Sequence, residues 1–221
     1  MDAALLEVRH AQRVLVAFYQ RVKDIVLVMR EELGVKPCYW GTKQFPMPGN
    51  CGYDLLQLQR SSWESLPMAD ASFEHTPDGC WGHQDDISLW LQIRLVTDDV
   101  FIENGPGYDP SPLNMPPVET SQTYLEITVC QIRRFEGDGL GVHWTETLNR
   151  LPNMLERPYG VEHISGEPWQ TYRQRFQFSQ LCDKSSVKEQ MTALKLQLSS
   201  HDFVGFDDDR QKHKTRQIIP R

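Results

Sequence analysis

The first 33 residues contain neither glycine nor proline, and they carry one apolar seam from end to end. Val8, Ala11, Leu15, Phe18, Val22, Ile25 and Met29 follow one another at alternating spacings of four and three, the a/d pattern of a helix that packs along a line. Val14, Tyr19, Val26 and Leu33 widen that line into a face, and Gly34 stands where a left-handed residue would stop the helix. A helix of about 30 residues is about 45 Å long. That is longer than a domain of this size is wide, so the sequence predicts a helix that both covers a core and reaches beyond it. Val8, Leu15, Phe18, Val22, Ile25 and Met29 are accordingly the expected partner-binding residues, for a protein partner or a homo-oligomer.

The remainder reads as an α+β domain over residues 1–200 with a mostly antiparallel sheet, the long first helix packed on it and further helices in the C-terminal third. Residues 35–86 read as irregular, rich in Trp and Pro, with a short helix near Tyr53–Gln59 and a strand near Ala71–Thr76. The sheet region is 87–181. Ile87–Thr97 alternates as a strand, and Asp98-Asp99 before Val100–Asn104 suggests a hairpin. Gln122–Arg134 is a second strand, with Tyr124, Glu126, Thr128, Cys130 and Ile132 on one face, and the segment through Trp169–Gln180 leans to strand. Residues 186–199 are a helix with Ser186 and Glu189 as a capping box and Val187, Met191, Leu194 and Leu198 as its buried stripe. Residues 201–221 read as a charged tail.

Charge narrows the function classes. The net charge is −7, but residues 1–34 balance at five basic and five acidic side chains, and the acid excess lies in the body. That argues against duplex nucleic acid as the body's partner, because such binding rests on neutralised phosphates. The exception is the end of the chain, where Arg210, Lys212, Lys214 and Arg216 form a candidate anion-binding tail. No segment is apolar enough to span a bilayer, the first residues lack the pattern of a secretory signal, and the five cysteines are odd in number and widely spaced. A reduced, cytoplasmic protein without a membrane segment is the expectation.

Two metal sites can be drawn from the residues. Asp98 or Asp99 ahead of one strand and Glu126 in the next resembles, over about 30 residues, the PD-(D/E)xK nuclease superfamily, in which acids hold Mg²⁺ and a lysine orients the attacking water. Here Thr128 occupies the lysine position. Cys38, Cys51, Cys80 and His83, with His75 nearby, offer soft ligands for zinc but match no standard spacing. The glycine-rich Gly137–Gly141 lacks the remainder of a phosphate-binding fingerprint. The sequence therefore leans away from an enzyme and from any cofactor. It points to an interaction or accessory protein acting through its first helix, with a PD-(D/E)xK-like nuclease and a zinc-stabilised binding module as the alternatives.

Overall fold

The computed structural model describes residues 2–42, 70–77, 87–99, 117–133, 159–163, 169–203 and 206. Helix α1 (Asp2–Leu33) is followed by strands β1 (Lys36–Thr42), β2 (Asp70–Thr76), β3 (Ile87–Val96), β4 (Tyr124–Arg133), β5 (Gly160–His163) and β6 (Trp169–Gln177), and then by helix α2 (Lys184–Ser200). The strands form one antiparallel sheet in the order β1-β2-β3-β4-β6-β5, so the fold is α+β.

One face of the sheet is apolar. Phe73, Leu91, Ile93, Leu95, Leu125, Ile127, Val129 and Phe176 all belong to a single core. Both helices cover it: α1 contributes Tyr19, Val22, Ile25, Val26, Met29 and Leu33, and α2 contributes Val187, Met191, Leu194 and Leu198. The helices are tied to one another and to the turn before α2. Lys188 Nζ lies 2.7 Å from a Glu32 oxygen, Arg21 donates to the Leu181 carbonyl at 2.9 Å, and the Phe18 and Phe178 rings lie 5.2 Å apart.

Both helix ends are built by the same device. Gly34 has φ +68°, the Val35 N–H donates to the Arg30 carbonyl, and the Gly34 N–H donates to the Glu31 carbonyl, which is a Schellman motif. At the end of α2, Asp202 takes the left-handed position at φ +62°, and Phe203 donates back to the Leu198 carbonyl. This second stop turns the chain inward. Phe203 and Phe206 are buried in the core, so these two residues belong to the domain and not to a solvated tail. Arg210, Lys212, Lys214 and Arg216 lie outside the described residues.

Other expectations are also revised. Lys36–Thr42 is a strand, not irregular chain. Pro37 and Gly41 look like breakers, but β1 is an edge strand with a bulge between Pro37 and Tyr39, the place where a sheet tolerates proline. β2 and β4 occupy both edges of β3, and residues 100–104, the expected second arm of a hairpin, lie outside the described residues. Past β3, Asp99 bonds to Gln122 through both its N–H and its carboxylate. The α2 cap is Asp183, which accepts from the Ser186 N–H at 2.8 Å while Ser186 Oγ accepts from the Asp183 N–H at 3.0 Å. Ser186 is thus the third residue of the helix rather than its cap. Asp183→Ala should therefore lower the thermal midpoint measurably, whereas Glu189→Ala should leave it close to wild type, a comparison circular dichroism can make. The expected helix at 53–59 and the glycine-rich 137–141 lie outside the described residues.

Candidate functional site

The second face of the sheet is polar and yet buried. Alternation along each strand places Asp70 and Glu74 of β2, Trp90, Gln92 and Arg94 of β3, Tyr124, Glu126 and Thr128 of β4, and Arg173 and Arg175 of β6 on it. The register aligns Ser72, Arg94, Glu126 and Arg175 in one row across four strands. Glu126 is thus flanked by a guanidinium on each side.

Two ion pairs organise this face. Arg94 makes a two-pronged pair with Asp70, Nε and Nη2 each 2.7 Å from a carboxylate oxygen. Burial pulls the Arg94 guanidinium down, but the bonded Asp70 carboxylate more than reverses this and leaves it above its ordinary value. Glu126, only 1% exposed, accepts from Arg173 Nη2 at 2.8 Å and from the Tyr159 hydroxyl at 3.0 Å. Burial, reinforced by that carboxylate, raises Tyr159. The Arg175 guanidinium lies 3.7 Å from the Tyr124 ring centroid and donates to the Tyr124 hydroxyl at 3.0 Å. Burial still pushes Tyr124 up to about 12.

This geometry separates the carboxylates that the nuclease pattern would join. Asp99 stands opposite Gln122, two residues ahead of β4 and four before Glu126, which is roughly 13 Å at the rise of an extended chain. Nor can Glu126 readily hold a dication, since Arg173 is bonded to it and Arg94 and Arg175 lie alongside. Thr128 completes the departure: its Oγ1 and the neighbouring Gln92 Oε1 are buried without a hydrogen-bond partner, and neither supplies the ammonium of the missing lysine. Asp98, Asp99 and Glu126 therefore do not form one metal site. For the zinc set, only Cys38 and His75 are described. Cys38 is buried in the β1 bulge beside the His75 step of β2, and Cys51, Cys80 and His83 lie outside the described residues. Among the described residues no group of three His, Cys, Asp or Glu side chains is placed to hold a metal. Cys130 is packing, its thiol pushed up to about 12 by burial.

Glu74 is an acid on this face whose titration is displaced upward. Burial raises its carboxyl, and hydrogen bonds from Trp90 (Nε1–H at 3.4 Å) and Gln92 only partly oppose this. In the unfolded chain the carboxyl ionises first, while the folded protein holds the proton longer. Stability from this group is therefore present below the ordinary value of 4.5 and is lost as pH rises toward the raised one. Glu74→Gln should remove that loss, so urea midpoints of variant and wild type should diverge in the variant's favour across that window.

The expected partner-binding residues divide sharply between two environments. Val22, Ile25 and Met29 are spent on the chain's own core, which corrects their assignment as docking residues. Phe18 is half-buried against that core. Val8 (62% exposed) and Leu15 (40%) lie free, and Leu5 (49%), Leu6 (45%) and Val14 (66%) join them. The seam was legible in the sequence. Where the body ends beneath it was not.

The chain belongs to the PM0109 family, whose model matches residues 1–203. It is similar to the uncharacterized protein PM0109 of Pasteurella multocida (strain Pm70), at 25% identity over 203 residues, covering 88% of this chain and 92% of that protein. No solved structure matches. Among the described residues, no helix is long and apolar enough to cross a membrane.

Proposed function

We propose that this is a non-enzymatic interaction protein of the cytoplasm whose docking element is the first half of α1. One observation carries the reading. Eight large apolar side chains are exposed among the described residues, and five of them, Leu5, Leu6, Val8, Val14 and Leu15, fall within eleven residues of a single helix. Leu5, Val8, Val14 and Leu15 share the seam side of the helix, with Leu6 on the opposite side; scattered exposed apolar residues are ordinary, but an apolar face on one element is a mark of an interaction site. The physics of the helix agrees. The sixteen residues of helix before Phe18 contribute nothing to the core among the described residues, and an isolated helix of that length is marginal in water, so a partner that covers the apolar face also stabilises it. The polar sheet face supports the same reading indirectly, because Asp70 and Glu126 are engaged by guanidiniums and a tyrosine hydroxyl as parts of a scaffold.

The test is to compare complexes formed by the full-length protein and by a Val8→Glu, Leu15→Glu variant, using light scattering for self-association and affinity capture for other partners. The expected result is a stoichiometric complex that the variant loses while its thermal midpoint stays within about 2 °C of wild type, because surface substitutions away from the core cost little. A variant that keeps every complex of the wild type would refute the reading.

A further inference from the structure

We infer that the partner of the free half of α1 is a second copy of this chain, bound antiparallel. This rests on the reading of that half as a docking element, and adds to it the occupant and its direction.

In the free half, the seam alternates between small residues, Ala4 and Ala11, and large ones, Val8 and Leu15, and all four are exposed. Two such helices running in opposite directions set Val8 against Ala11 of the second copy and Leu15 against Ala4, twice over by symmetry. Every layer then holds one large and one small residue, which is what close packing at native density requires. Running in the same direction, like would meet like: two alanine layers too thin to fill, alternating with crowded Val8 and Leu15 layers. The seam is therefore complementary to itself, but only when one copy is inverted.

Charge points the same way. Residues 1–34 carry as many basic as acidic side chains, whereas the body carries the acid excess, so α1 is where two acidic molecules can approach with least repulsion. Helical geometry turns Arg9, His10 and Arg13 away from the seam. Glu7, at its flank, meets Val14 of the inverted copy and no like charge. Leu5 and Val14 lie on opposite flanks and widen the contact.

The size of the contact sets the affinity range. Residues 2–18 form a strip about 25 Å long. Pairing two of them removes on the order of 1,000 Å² from water, near the lower limit of a specific interface. The dimer should accordingly dissociate on dilution in the micromolar range, and a series from about 1 µM to about 1 mM spans it.

The experiment is sedimentation equilibrium of the full-length chain with Ala4→Glu, Leu15→Lys, and the two combined. Each single substitution leaves an unpaired charge in an apolar seam and should weaken dimerisation at least about 100-fold. In the double variant, inverted pairing brings the introduced carboxylate of each copy to the introduced ammonium of the other. Dimerisation should then return to within about tenfold of wild type. A double variant as dissociated as the singles would overturn the antiparallel arrangement. A wild type that stays monomeric throughout would overturn the second copy as the occupant. In that event the docking role itself would survive only if Leu15→Lys abolished capture of a different protein, and would fall with the inference if it did not.

Discussion

Replacing Glu126 by alanine is expected to destabilise the protein by about 3–5 kcal/mol, the usual result of removing one member of a buried ion pair. The loss comes less from the bond itself than from what it leaves behind. Arg173 is 7% exposed at its side chain and would lose the carboxylate it donates to, while Arg94 and Arg175 remain on the neighbouring strands. The Tyr159 hydroxyl would lose its acceptor as well. Replacing both members of the pair, Glu126→Leu with Arg173→Met, should recover a large part of the loss, because no stranded charge remains at that pair. Urea unfolding of the three variants measures this directly. A Glu126→Ala protein as stable as wild type that had lost a Mg²⁺-dependent nuclease activity would instead restore the metal reading of this strand.

The second large effect divides α1. Ile25→Ala should cost about 2–5 kcal/mol, since it opens a cavity between the helix and the sheet at a site that is 1% exposed. Val14→Ala, three turns earlier in the same helix, should change the stability of the monomer by less than about 0.5 kcal/mol. Both positions are apolar, both are helical, and both belong to the face the sequence marks out. Among the described residues, only Ile25 has core side chains packed against it, while Val14 is 66% exposed. Equal costs at the two positions would mean that the first half of α1 packs as the second half does.

That contrast also shows how far the sequence carries. Local signals were sufficient where one physical cause dominates. The run without glycine or proline and its stop at Gly34 gave α1, and the four-three-four spacing gave the whole buried stripe of α2, Val187, Met191, Leu194 and Leu198. Alternation gave β3 and β4, and decided for strand in β6. Local signals were insufficient wherever a distant element sets the outcome. β1 carries Pro37 and Gly41 and is a strand only because β2 lies beside it. Phe203 and Phe206 follow a polar helix end and are buried in the core, Phe203 directly after the left-handed Asp202. Glu126 and Thr128 have the look of a solvated strand face, but both are buried. The signal that was available is the pair Arg173 and Arg175, two cations at strand spacing within an otherwise packed segment, which call for acids on the neighbouring strand.

The central claim is that α1 is one helix serving two purposes, core for residues 19–33 and docking surface for the half before them. Amide hydrogen exchange along α1, measured as a function of protein concentration, tests it most directly. The account predicts protection over residues 19–33 that is independent of concentration, together with protection over residues 5–18 that is weak in dilute protein and rises as the protein is concentrated. Protection over residues 5–18 that equals the core half and does not change with concentration would contradict it.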